Sequence, residues 1–223
     1  MHYPCPLDFN RAWHSCTAQD ASHRGDAAVD LAYWQTYAAG YDEHSLSPGY
    51  YEGTLAAIQK LVRPDDTLLD VGAGAGRFAL PLASCVQQVT ALDHAGPMLD
   101  ILHRKIAQQG IANIKLVEAA WETATVEPHD VVLAAWSLYR RPDMLTGMQK
   151  LIAATRRTLI IVAGAGYSIR HDPLLHAIWP QADRLDTPMH IYYHGILWPA
   201  GVHAELHYEQ AVPVGLLVWR ADQ

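Results

Sequence analysis

The 223-residue sequence has few cysteines and no long apolar run. Its three cysteines, Cys5, Cys16 and Cys85, are odd in number and follow no Cys-x-x-Cys or zinc-type spacing, which predicts reduced thiols. No apolar stretch reaches the roughly 18 residues that a membrane-spanning helix needs. Residues 1–6 lack the basic and apolar regions of a signal peptide. These absences favour a cytoplasmic globular protein.

Basic residues are also scarce. The chain has 16 Lys and Arg against 23 Asp and Glu, so its formal net charge is −7. Binding to a phosphate backbone depends on clustered Lys and Arg, and the basic stretches here are only two or three residues long. The composition therefore argues against nucleic acid as the substrate and favours a small neutral or cationic molecule. At this length, we expect one core with a modest cap.

Several catalytic signatures are absent as well. There is no Gly-x-Ser-x-Gly nucleophile elbow and no phosphate-binding P-loop. Histidine is plentiful, yet His190 and His194, which would share one face of a helix, lack the Glu of a His-Glu-x-x-His site. His203 and His207 would lie about 13 Å apart along a strand, too far to chelate one ion. We predict no metal site.

Residues 67–78, Thr-Leu-Leu-Asp-Val-Gly-Ala-Gly-Ala-Gly-Arg-Phe, are the most informative part of the chain. The apolar run predicts a buried strand with Asp70 near its carboxyl end, followed by a tight turn and a helix. The fingerprint of dinucleotide sites would need glycine at Arg77. Asp70 would also repel a pyrophosphate, whereas it would attract a ligand with an ammonium group and a nearby sulfonium, such as S-adenosylmethionine. The turn contains Gly72, Gly74 and Gly76.

A second strand is predicted at 88–93 and ends in Asp93. In doubly wound folds, an acid at this place accepts hydrogen bonds from ribose hydroxyls. Residues 95–98 then begin a helix, in which Pro97 suits the first turn. Either acid alone is compatible with an ordinary turn, but the sequence of strand, glycine loop, helix, strand and acid indicates a nucleoside site.

These segments resemble the motifs of the class I S-adenosylmethionine-dependent methyltransferases. The resemblance rests on residues 69–77, 91–94 and 97–99, and residues 130–138 are similar to the fourth strand of that family. It covers roughly residues 30–165. It implies an α/β fold with a Rossmann-like, doubly wound seven-stranded sheet that is mainly parallel and ends in an antiparallel C-terminal hairpin.

The resemblance also implies roles for individual residues. Asp70 and the glycine loop would hold the methionine moiety, Asp93 would bind the ribose, and a Tyr-Asp segment at Tyr41 would close over the cofactor. Residues 136–139 would face the methyl group. The cofactor-binding residues implied are Tyr41, Asp70, Gly72, Gly74, Gly76, Asp93, His94, Met98, Ala120, Trp121 and Trp136.

The chain departs from the family after the third strand. Where the family often has an acid that binds the adenine amino group, this chain has Ala120. Three alternatives follow: Glu118 or Glu122 substitutes for the acid, Trp121 stacks on the purine, or Trp121 packs under the sheet.

The element pattern predicts a helical cap over residues 1–66 and a cofactor-binding core over residues 67–223. In the cap, Tyr33, Trp34 and Tyr37 lie at helical spacing with Tyr41, so their rings either line the site or pack on the core. Predicted helices span 28–40, 49–62, 76–85, 97–109 and 142–155. Predicted strands span 67–72, 88–93, 114–119, 130–136, 158–164, 203–209 and 214–220.

The predicted function is methyl transfer from S-adenosylmethionine to a small molecule by direct displacement. A general base is needed only if the acceptor arrives protonated, and the candidates are His44, Tyr139 and His194. The ring-rich segment 189–198 either lines an acceptor pocket or packs under the last strands. The alternatives are a protein that binds the cofactor without catalysis and, less favoured, a nicotinamide-dependent oxidoreductase. The sequence leaves the acceptor atom and the oligomeric state open.

Overall fold

The computed structural model describes residues 8–19, 27–41, 50–138, 143–164, 167–168, 186–187, 189–208 and 214–221. Its centre is a seven-stranded sheet with the order β3-β2-β1-β4-β5-β9-β8. Strands β1 to β5 are parallel, β9 runs antiparallel to β5, and β8 runs antiparallel to β9. The predicted fold class is therefore confirmed.

The strands of this sheet are β1 Thr67–Val71, β2 Gln88–Asp93, β3 Ile114–Glu118, β4 His129–Ala135, β5 Thr155–Gly164, β8 Glu205–Tyr208 and β9 Val214–Arg220. A separate two-stranded ladder joins β6 Tyr167–Ser168 to β7 Asp186–Thr187. The helices are α1 Phe9–Gln19, α2 Ala27–Tyr37, α3 Tyr50–Gln59, α4 Ala79–Leu82, α5 Gly96–Gln109, α6 Met144–Ala153 and α7 Met189–Leu197. Short 3-10 turns follow α2 and α7.

Helices cover both faces of the sheet, which explains why its central strands are continuous apolar runs. On one face, α3, α4 and α5 pack on residues such as Leu68 and Val131. On the other face, α1, α6 and α7 pack on Leu69, Val132 and their neighbours. Successive strand residues point to opposite faces, so both of these apolar sets are needed to bury the sheet.

The strand order reverses between β1 and β4, and the chain turns to either side of this point. In open α/β sheets, ligands bind outside the carboxyl ends of the strands where the order reverses. The loop after β1 and the residues after β4 meet at this edge, beside the end of β2. This edge is therefore the place to look for a site.

The β6–β7 ladder and parts of three helical segments differ from the sequence prediction. Helix α1 was not predicted, and segment 189–198 forms α7 with the start of the following 3-10 turn. The helix predicted at 76–85 is only Ala79–Leu82, because residues 74–78 form turns held by the Gly76 N–H donating to Ala73 O over 2.9 Å. Across the described ranges, every helix is too short or too polar to cross a bilayer.

Candidate functional site

The loop after β1 bends where its glycines adopt backbone angles that other residues avoid. Gly72 has φ +78° and Gly76 has φ +84°. A Cβ atom at position 72 would lie 2.4 Å from Ser137 Cβ, and one at position 76 would lie 2.3 Å from Leu102 Cδ1. Both the left-handed conformation and the close packing therefore require glycine at these two places.

Asp70 is held beneath this bend. Its side chain is 2% exposed, and Oδ2 has no hydrogen-bond partner among the described residues. Burial, reinforced by the neighbouring Asp93 carboxylate and opposed by a hydrogen bond from the Ala79 backbone, raises the pKa of Asp70 to about 7. A buried carboxylate oxygen without a hydrogen-bond partner is costly unless a cationic group is placed against it.

The residues after β4 lie against the same loop. Trp136 has φ +51°, a left-handed conformation that is uncommon for a non-glycine residue, and its N–H donates to Val162 O over 3.0 Å. Ser137 packs against Gly72, and its buried Oγ has no hydrogen-bond partner in the described part of the chain. Backbone strain and unsatisfied polar atoms gather at functional sites. Here the strained Trp136 and the unsatisfied atoms of Asp70 and Ser137 lie together at the carboxyl edge of the sheet.

Asp93 joins the glycine loop to the helix that follows β2. Its Oδ2 accepts the Gly74 N–H over 2.8 Å, and its Oδ1 accepts the Ala95 N–H over 2.9 Å. The side chain is 7% exposed. These two bonds fix the carboxylate at the carboxyl edge and leave further lone pairs on both oxygens.

His94 connects this acid to the N-terminal part of the chain. Its Nδ1 lies 3.7 Å from Asp93 Oδ1, and its Nε2 lies 3.4 Å from Asp30 Oδ2 on α2. Trp34 and Tyr41 pack with Met98 in a small apolar cluster over the start of α5. The segment after α2 therefore lies beside the glycine loop. The contribution of Asp30 was not foreseen, because no sequence signal links it to His94.

An aromatic surface lies beside the loop. The Arg77 guanidinium is 5.7 Å from the ring centroids of both Tyr41 and Tyr51, and the Tyr51 hydroxyl donates to Arg77 O over 2.6 Å. Phe78 then contacts both Tyr51 and Trp136, at 5.4 and 5.6 Å between centroids. Tyr51 and Phe78 were missed because a lone ring in an apolar segment is usually a core residue.

The rings of the cap contact one another as their spacing predicted. Tyr33 and Tyr37 are stacked 5.5 Å apart, and Tyr37 meets Tyr41 edge-on at 6.2 Å. Trp34 contacts the other three rings and the apolar cluster below them.

Trp121 and Met98 are both buried in the structure. Trp121 is 1% exposed, lies in the core beneath α6, and donates its Nε1–H to Gly147 O over 3.3 Å. Stacking of this ring on a purine does not fit the structure, whereas packing under the sheet does. Met98 is 3% exposed and supports the loop from below, near Gly74.

Ala120 begins a turn that α6 fastens. Its carbonyl accepts the N–H groups of Thr123 and Ala124. The Lys150 ammonium donates to the carbonyls of Trp121 and Glu122, and it lies 4.7 Å from the Trp121 ring centroid. No sequence motif indicates this contact, since Lys150 has the spacing of an ordinary solvated helix residue.

Of the three candidate bases, the described residues include only His194. His194 lies on α7, stacked 5.6 Å from Trp198, in an apolar cavity of about 290 Å³ that also includes Phe9, Ile191 and Leu206. None of the residues lining that cavity belongs to the glycine loop or to the residues after β4. His44 and Tyr139 lie outside the described residues.

Comparisons with known proteins agree with this geometry. Residues 68–158 match the methyltransferase domain family. An uncharacterized protein of Haemophilus influenzae is 28% identical over 149 residues, which is 66% of this chain and 54% of that protein. The chain spans about half the length of the curated relatives it matches.

Two solved structures share the fold. The DhpI–SAM–HEP complex aligns with a TM-score of 0.65 and 17% identity, covering 86% of this chain and 95% of the other. The CcbJ methyltransferase from Streptomyces caelestis aligns with a TM-score of 0.63 and 20% identity, covering 85% and 97%. The acid–glycine loop and the acid after β2 both lie within the matched region, so this part of the chain is similar to the class I S-adenosylmethionine-dependent methyltransferases.

Proposed function

We propose that this chain binds S-adenosylmethionine at the carboxyl edge of β1, β2 and β4 and methylates a small molecule. The observation that carries the proposal is the pair of buried, unpartnered oxygens, Asp70 Oδ2 and Ser137 Oγ, beside a bend that only glycine can form. One is an acceptor suited to an ammonium group, and the other can donate or accept. The residues present therefore fit the amino acid end of the cofactor.

The remaining contacts follow from the same edge. The backbone around Gly72 and Gly74 would face the amino acid portion, Asp93 would accept the ribose hydroxyls, and Tyr41 would cover the cofactor from the N-terminal side. When bound, the cofactor supplies a methyl group activated by a positively charged sulfur. The protein's own task is to position the two reactants and exclude water.

A small acceptor is favoured by the surroundings of the loop. The partly exposed rings of Tyr51 and Trp136 pack there on the buried Phe78 ring, and Arg77 is engaged with two tyrosine rings. Such a surface suits a compact organic molecule. A net charge of −7 does not suit a phosphate backbone.

The nicotinamide alternative is disfavoured by charge. A diphosphate at the bend would meet Asp70 and Asp93, and the Asp93 carboxylate already raises the pKa of Asp70. A protein that binds the cofactor without catalysis would share every contact above, so only an activity measurement separates it from an enzyme.

Isothermal titration tests the binding step. We expect S-adenosylhomocysteine to bind with a micromolar dissociation constant and NAD(H) not to bind. Asp93→Asn should weaken binding at least about tenfold, because one carboxylate oxygen that holds Gly74 or the ribose is lost. The control is Asp100→Asn, which changes an exposed carboxylate on α5 and should leave binding unchanged.

Catalysis is tested with methyl-labelled cofactor and two acceptor pools, one of small metabolites and one of total RNA. Label transfer to the metabolite pool is the expected result. Transfer to RNA alone would reject the small-molecule assignment. Binding without transfer to either pool would favour the non-catalytic alternative, and absence of S-adenosylhomocysteine binding would reject the proposal as a whole.

A further inference from the structure

We infer that Glu118, at the end of β3, is the acid that recognises the adenine amino group in this chain. The inference rests on the proposed binding of S-adenosylmethionine. It gives a specificity-determining role to a residue two positions before Ala120, the position at which the resemblance implies an acid.

Glu118 stands beside the proposed ribose acid. The two strands pair in parallel with Asp93 opposite Glu118, and strand neighbours in register point to the same face of the sheet. Their strands are about 4.8 Å apart. A ligand whose ribose is bound by Asp93 would therefore have Glu118 next to it, on the β3 side.

The Glu118 carboxylate lies over the N-terminus of α5. A Cβ atom built on Gly96 would be 2.9 Å from Glu118 Oε1 and 3.1 Å from Oε2. The missing side chain at position 96 thus leaves room for the carboxylate to fold over Ala95 and Gly96, the backbone that also carries His94. The position of the carboxylate depends on both the acid on β3 and the glycine on α5. Neither residue alone would indicate that position.

The turn that carries the rival residues is fastened to the other face of the sheet. Trp121 is buried in the core under α6. The carbonyls of Trp121 and Glu122 accept hydrogen bonds from Lys150, which fastens this turn to the α6 face of the sheet. Glu118 lies on the α5 face with Asp93. Of the three acidic or aromatic alternatives, the structure brings Glu118 to the ribose acid.

The hydrogen-bonding capacity of a carboxylate predicts which purine Glu118 should favour. An ionised carboxylate only accepts hydrogen bonds, so it favours the amino group of adenine and repels the carbonyl oxygen that replaces it in hypoxanthine. A site built to hydrogen-bond one group discriminates strongly against a ligand that lacks it. An amide at position 118 can donate or accept, and it should lose this preference.

The test compares S-adenosylhomocysteine with S-inosylhomocysteine, its deaminated analogue, by isothermal titration. The unmodified chain should bind the adenine ligand at least about tenfold more tightly. In Glu118→Gln, the two affinities should come within about threefold of each other, mainly through weaker binding of the adenine ligand. Glu122→Gln, the matched control on the next turn, should keep the original ratio.

A second variant tests the geometry without changing the acid. Gly96→Ala places a methyl group where the Glu118 carboxylate lies, so it should also reduce the ratio. Thermal unfolding of each variant, unchanged within a few degrees, shows that folding is retained.

The results of these titrations distinguish a failure of the Glu118 assignment from a failure of the proposed function. If the ratio stays unchanged in Glu118→Gln, or falls in Glu122→Gln instead, the assignment of Glu118 is overturned while cofactor binding stands. If S-adenosylhomocysteine does not bind the unmodified chain, the proposed function fails and this inference fails with it.

Discussion

The residue that most limits what this protein can bind is Asp70. A carboxylate that is 2% exposed gives up nearly all of its hydration, and a second carboxylate, Asp93, lies close by. Protonation relieves both costs, which is why the pKa of Asp70 rises to about 7. A cationic ligand would relieve them in another way, because it stabilises the charged form.

This competition predicts a pH-dependent affinity. Below pH 7 Asp70 is mostly protonated in the free protein, so an ammonium group must displace its proton on binding, and affinity falls as the pH falls. Between pH 7.5 and pH 5.5 we expect binding of S-adenosylhomocysteine to weaken roughly twentyfold. Above pH 7 the affinity should level off. Isothermal titration across this range measures the effect.

Two variants show which residue causes the pH dependence of binding. Asp70→Asn should bind weakly at every pH and show almost no slope. His94→Gln removes the nearby imidazole and should retain the slope. A slope that disappears in His94→Gln and persists in Asp70→Asn would show that the histidine, and not the buried carboxylate, controls binding.

Single residues were predictable where a short motif defines them. The acid–glycine loop and Asp93 follow from residues that are adjacent in sequence, since local backbone geometry determines where they lie. Asp30 and Lys150 were not predictable, because their contacts join segments that meet only after the helices pack. Trp121 was ambiguous for the same reason: an indole after a strand can face a ligand or the core.

At the scale of elements, the strands of the central sheet were the most predictable part. Their apolar runs are bounded by turn residues, and burial on both faces makes the runs unmistakable. Helix α1 was missed because its fit depends on partners far along the chain: Phe9 lies against Gly195, and Trp13 contacts Tyr192 and Tyr193. Similarly, Pro81 and the glycine turns shorten α4.

Replacing Lys150 tests how much the attachment of α6 to the turn after β3 contributes to stability. In Lys150→Met, the carbonyls of Trp121 and Glu122 lose their donor, and the Trp121 ring loses its cation. The loss should cost roughly 1–3 kcal/mol of unfolding free energy. For a chain of this size, the melting temperature should fall by roughly 3–10 °C.

Lys150→Arg is the matched control for this element. A guanidinium can donate to both carbonyls and stack on the indole, so most of the stability should return. Equal melting temperatures for Lys150→Met and the unmodified chain would mean that the turn is held by its own hydrogen bonds to Ala120.

At the scale of the whole molecule, helices from before and after residue 66 pack into the same apolar layers. Helix α1 packs with α6 and α7 on one face of the sheet, and α3 packs with α4 and α5 on the other. A segment whose side chains complete the apolar layers of the core gains its stability from that core. We therefore expect one cooperative unfolding transition for the chain.

Trp13 provides the test. It is 1% exposed and lies in the same cluster as Leu151 and Tyr192, so Trp13→Ala should cost roughly 3–5 kcal/mol. Urea unfolding followed by circular dichroism and by tryptophan fluorescence should shift to the same lower midpoint. Trp198→Ala removes an indole that is 51% exposed and should shift the midpoint far less. Two separate transitions, of which Trp13→Ala shifts only the first, would instead establish an independent N-terminal cap. A shared core cannot lose one helix and keep its remaining stability.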